Sequence, residues 1–154
     1  MLRIATPQGA RFEFLKREGL IAPDEISSIE DAVPEDFTRL NNRELGAVHS
    51  RYAVRYSHAI YVHSKWVSDL VIAKRNLHLA EAKFSVRHKG DYKTKYELEA
   101  AMESAAGINA LRGFISTLEA QVAVLEGIAK GYDVLTKAAS REISRRQSET
   151  APRD

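Results

Sequence analysis

The sequence contains no cysteine, which removes disulfides, thiolate nucleophiles and cysteine metal sites from consideration. Proline is scarce: after Pro34 the next is Pro152, and no glycine falls between Gly46 and Gly90. Uninterrupted helix is therefore permitted over most of the chain. No apolar run approaches the length that spans a bilayer, so a membrane partner is not expected. The first residues, MLRIATPQGARFEF, place Arg3 and a Pro-Gln-Gly break before any apolar stretch develops, unlike a signal peptide. A cytoplasmic protein is the expectation.

Catalytic patterns are also missing. There is no nucleophile elbow, no glycine-rich phosphate loop and no HExxH. His49 and His63 are 14 residues apart and cannot share a metal within one chain. His58 and His63, five apart, suit joint ligation on a helix poorly. Glu97 and Glu99 point to different helix faces, which disfavours paired acid–base work. The expectation is a protein with no enzymatic activity, no cofactor and no metal.

What is present is helical periodicity. After a region 1–40 with five basic and eight acidic residues, Asn41 can cap a helix with Glu44 three residues on. Within region 1–40, RFEFLKREGL and PDEISSIEDAV each suggest a short helix. From Leu45, positions His49, Tyr52, Tyr56, Ala59, His63, Trp66, Leu70, Ala73, Leu77, Ala80 and Phe84 recur by four and three. That period predicts helices that wrap around partners. Gly90-Asp91 is a stop and restart, followed by Leu111, Ile115, Leu118, Val122, Leu125, Ala129, Tyr132, Ala139 and Ile143.

The predicted fold is all-α: an acidic N-terminal arm over 1–40, then a coiled-coil-like hairpin over 41–147. Its antiparallel helices would span 42–88 and 92–146 around a turn at 89–91, with a disordered tail at 148–154. The second helix would be weakened by Gly107, Gly113, Gly127 and Gly131, which allow close helix contact or bending. Tyr52, Tyr56, Trp66, Leu70, Leu77, Leu118, Val122 and Leu125 are the expected helix or oligomer interface. Ile60, Val62, Val67, Val71, Ile72, Phe114, Val124, Ile128 and Leu135 lie off the main stripes. They need cover, which predicts a homo-oligomer.

Charge is segregated. Residues 83–95 sum to +4 and residues 97–126 to −4. Residues 130–147 sum to +3, so Arg43, Arg141, Arg145 and Arg146 would make the open end of the hairpin basic as well. Glu99, Glu103 and Glu119 are expected to answer Lys74, Arg75 or Arg55. The stretch KFSVRHKGDYKTKY answers to no such partner, having five fixed cations against the single acid Asp91. Cations beside aromatic rings at a chain reversal are suited to phosphates and unstacked bases. Lys83, Arg87, His88, Lys89, Tyr92, Lys93 and Lys95 are the candidate single-stranded nucleic-acid contacts, with Phe84 and Tyr96 interleaved. A structural or adaptor coiled coil, such as a phage scaffold or host-takeover factor docking this corner on an acidic protein, is the alternative.

The stretch IYVHSKWVSDLVIAKRNLHLAEAKFSVRHKGDY resembles the UvsY-type phage recombination mediators in its His-Ser-Lys-Trp step, Lys/Arg-rich segment and basic turn. VLEGIAKGYDVLTKAASREISRR is similar to their last helix. The resemblance covers about residues 55–146, and the arm has no counterpart in it. It implies a ring-forming helical protein of the bacterial host cytoplasm that binds single-stranded DNA. Such a protein helps a RecA-like recombinase replace single-strand-binding protein in DNA recombination and repair. The family's DNA-binding segment falls here on Arg87, His88 and Lys89, with Lys93 beside them; Ser64, Lys65 and Trp66 match the other shared step.

Overall fold

The structure, a computed structural model, describes residues 14–20 and 36–150. Among these residues there is no strand, and two long helices pack together. They are α1 (Asn42–Arg87) and α3 (Ala106–Thr150), with α2 (Lys95–Ser104) between them and a 3-10 turn, Phe37–Arg39, before them. None of the helices is long and apolar enough to cross a membrane. The chain divides into two compact units, Met1–His63 with Val124–Asp154, and Ser64–Ala123.

The start of α1 is the reciprocal cap expected from Asn41 and Glu44. The Glu44 N–H donates to Asn41 Oδ1 at 2.9 Å, and the Asn41 N–H donates to Glu44 Oε2 at 2.8 Å. In the first unit α1 and α3 run antiparallel, since Asn42 meets Arg146 and Tyr52 meets Tyr132. Leu45, Tyr52, Ala59 and Val62 of α1 are buried with Leu125, Ile128, Ala129, Tyr132 and Ala139 of α3. Tyr52 and Tyr132 are tilted by 31° with ring centroids 6.5 Å apart, within the range of a favourable aromatic pair. Val62 and Ile128 are thus in the core of the single chain, a correction to the expectation that they need cover from another copy. Heptad counting puts them off the stripe. A straight helix drifts against a 3.5-residue repeat, and that drift brings them inward.

Part of the arm completes this unit. Residues 14–17 form one helical turn, closed by Leu20 N–H to Leu15 O and Gly19 N–H to Lys16 O. Gly19, at φ 69°, supplies the left-handed residue this ending needs. Phe14, Leu15 and Leu20 are buried, and His58 Nε2 donates to the Glu18 carbonyl at 2.9 Å. The helix expected over 23–33 and the tail at 151–154 lie outside the described residues. Residues 148–150, expected in the disordered tail, continue α3.

In the second unit the helices are again antiparallel, tied by Lys74–Glu119 at 2.7 Å and Arg112–Glu81 at 2.8 Å. Trp66, Ala73, Ile108, Ile115 and Leu118 are buried, while Leu70, Leu77 and Val122 are half-buried, as is Tyr56 in the first unit. The expected helix 92–146 is corrected here. The chain enters α2 only at Lys95, with Thr94 as its cap, and breaks at Ala105, whose φ of −66° and ψ of 116° are extended. Counting heptads back from Leu111 passes through Ile108, Ser104, Ala101 and Glu97, of which Ser104 and Glu97 are exposed. Leu98, Ala101, Met102 and Ala105 are half-buried, and full burial resumes after the break at Ile108. A side-chain carbon at Gly107, Gly113 or Gly127 would meet nothing within 4 Å, so these glycines make no close helix contact within the chain.

Candidate nucleic-acid interface

The corner of the second unit is built from the last turns of α1 and the reversal before α2. Helix α1 stops at Arg87, and Gly90 turns the chain at φ 98°, a conformation that side chains other than glycine adopt at a cost. Thr94 restarts it: the Glu97 N–H donates to Thr94 Oγ1 at 3.1 Å, and Glu97 Oε2 accepts from the Lys93 N–H at 2.9 Å. The sequence carries a Thr-x-x-Glu signal for this cap, which the expected helix start at 92 passed over. On α1, Lys83 and Arg87 are four residues apart on one face, about 5–6 Å between Cβ atoms. Lys89 and Lys93 lie on the reversal itself. All four are exposed, and none lies in an ion pair with any described residue.

The acids nearby are engaged elsewhere. Asp91 Oδ2 holds His88 Nδ1 at 2.8 Å. Glu97 caps α2, Glu99 pairs with Lys95 at 3.5 Å, and Glu81 pairs with Arg112. Two predicted contacts, His88 and Lys95, therefore have partners within the chain. Lys95, with a highly exposed side chain, gives up little to its pairing. One unpaired cation at the C-terminal end of α1 is ordinary compensation for the helix dipole. That effect does not reach Lys93, beyond the reversal.

Aromatic rings stack into the corner. Phe84 and His88 have centroids 4.4 Å apart, and His88 and Tyr92 are 6.2 Å apart. Tyr92 is half-buried, whereas Tyr96 is 80% exposed and is the more accessible ring. Beside Phe84 and the break at Ala105 lies a groove of about 340 Å³. Lys83, Arg87, Ile108 and Leu111 also line it. Sequence reasoning missed this groove because it missed the break beside it.

Other expectations are redistributed. Trp66, part of the step shared with the mediator family, is only 8% exposed, while Ser64 and Lys65 are exposed. The expected basic patch at the open end is reduced, because Arg145 and Arg146 both donate to Glu142. Arg43 and Arg141 stay exposed there. Lys74 takes Glu119 as expected, but Glu99 turns to Lys95. His49 and His63 are half-buried on the α1 seam, and no three metal-binding side chains gather among the described residues.

Comparison of the chain with protein-family models, with curated proteins and with solved structures found no match. The likeness to recombination mediators therefore rests on the sequence stretches quoted above.

Proposed function

We propose that the protein binds single-stranded DNA through the cationic corner of its second unit. In this reading it is an oligomeric, non-catalytic mediator that helps a RecA-like recombinase replace single-strand-binding protein. The observation that carries the DNA-binding reading is the charge accounting. Lys83, Arg87, Lys89 and Lys93 are exposed without ion-pair partners, while Asp91, Glu97, Glu99 and Glu81 are each engaged with another group. Phosphates would neutralise these cations and release counterions, so affinity falls as salt rises. Four contacts per corner correspond to a slope of log affinity on log salt of about −3. The recombination role comes from the family resemblance alone.

Oligomerisation multiplies such weak corners on one strand. Its support is a second, exposed apolar series on α1: Ile72, Leu79 and Val86, each seven residues from the next. That spacing repeats on one helix face and suits a helix of a second copy. Fluorescence anisotropy with a labelled oligonucleotide at two salt concentrations tests the proposal. Binding at low salt that collapses at high salt is expected, and no binding at low salt overturns it.

A second reading, an adaptor that docks this corner on an acidic protein partner, draws on the same exposed cations, Lys83, Arg87, Lys89 and Lys93. In that case the oligonucleotide fails to bind while an acidic protein is retained.

A further inference from the structure

We infer that the groove beside the break at Ala105 is a subsite for one unstacked base of the bound strand. The inference rests on the single-stranded DNA reading and adds to it a place for the base as well as the phosphate. The groove is shallow, about 340 Å³, and its lining includes the apolar Phe84, Ile108 and Leu111. The lining on the α1 side also includes the cations Lys83 and Arg87, and neither has a carboxylate partner. Apolar lining beside two unneutralised cations matches the two halves of a nucleotide. The flat base covers Phe84 and Ile108, and the phosphates on either side of it meet Lys83 and Arg87. Phosphate alone would leave the apolar lining wet, and a purely apolar side chain would leave the charges without a partner. The Phe84 ring meets the His88 ring, tilted by 39° with centroids 4.4 Å apart, and His88 is bonded to Asp91. These contacts restrain Phe84 before the strand arrives, which lowers the ordering cost of binding.

The test compares a thymidine oligonucleotide with one of equal length whose bases are replaced by abasic sites, using the full-length protein. The wild type is expected to bind the thymidine strand about tenfold or more tightly, the size of one stacked base. Gly107→Leu fills the groove, and its side chain starts in open space, with nothing within 4 Å of the added carbon. This variant is expected to lose the preference and to bind both strands as the wild type binds the abasic one. Circular dichroism melting verifies that its fold is retained, and Phe84→Leu gives an independent loss of preference if Gly107→Leu does not fold. Equal binding of both strands by the wild type overturns the subsite and leaves the cationic corner standing. A preference that survives both substitutions also overturns it. Failure of both strands to bind at low salt removes the DNA reading and the subsite together.

Discussion

Arg146 and Glu142 are joined by a hydrogen bond of 2.7 Å from Nε to Oε1, and Glu142 is buried. The same guanidinium donates to Asn42 Oδ1 at 2.8 Å and to the carbonyl oxygens of Phe37 and Thr38. One arginine of α3 thereby fixes both the start of α1 and the turn preceding it. Arg145 contributes two further bonds to Glu142, each of 2.8 Å.

The first prediction concerns pH. The bonds from Arg145, then those from Arg146, pull the Glu142 carboxyl from its ordinary 4.5 down to about 2. A depressed carboxylate stabilises the fold above the unfolded value, and the contribution is lost as pH falls through the folded one. Glu142→Gln should lower the melting temperature at pH 7. The difference from wild type should shrink between pH 4.5 and pH 2. A difference that does not change with pH over that window contradicts the assignment.

The corner charges give the second. Arg87→Ala with Lys89→Ala should weaken single-strand binding and flatten the salt slope by about 1.4, two phosphate contacts' worth. Both side chains are exposed, so the fold should lose no more than about 1 kcal/mol, chiefly from charge at the end of α1. Titration at three salt concentrations, with urea melts alongside, separates the two effects.

Packing of the first unit gives the third. Leu125 is fully buried, and Leu125→Ala should cost about 2–5 kcal/mol through lost burial and the cavity left behind. Ala59, equally inaccessible, has no room to grow, and Ala59→Leu should cost about 1–3 kcal/mol. Denaturant unfolding measures both. A neutral Ala59→Leu would show that the helices do not approach closely there.

Gly113 and Gly127 lie within α3 with open space where a side chain would begin. Gly113→Ala and Gly127→Ala should each stabilise the protein, by about 1 kcal/mol. Destabilisation at either position would mean that another surface packs against that face in solution.

The exposed seam on α1 is tested by mass. Ile72→Asp with Leu79→Asp should reduce the sedimentation mass to that of one chain and leave the helical circular dichroism intact. An unchanged mass removes this seam from the assembly.

Local physics made much of the fold legible in advance. The cap of Asn41 on Glu44, the long seam from Leu45 to Phe84 and the stop at Gly90 depend on spacings within a few residues, so they can be read along the chain. The break at Ala105 has no proline and no capping side chain to announce it. The apolar positions of α2 are only half-buried, and full burial resumes after the break at Ile108. The candidate site divides in the same way. Its surplus of cations was countable from residues 83–95, and the partners of Asp91, Glu97 and Glu99 lie within four residues of them, whereas the pairing of Glu81 with Arg112, 31 positions away, depends on how the helices pack.

The sequence by itself determined that the chain would be helical, where its longest helix would begin and end, and that one corner would carry excess positive charge. Each of these is a sum of near-neighbour preferences. Only the tertiary structure decided that Arg146 would reach Asn42, Phe37 and Thr38, that Phe14 and Leu15 would be buried, and that a groove would lie beside Phe84. Those outcomes join residues up to 109 positions apart in the chain, as Arg146 and Phe37 are. Which of many possible long-range partners meet is settled by the register in which the helices pack.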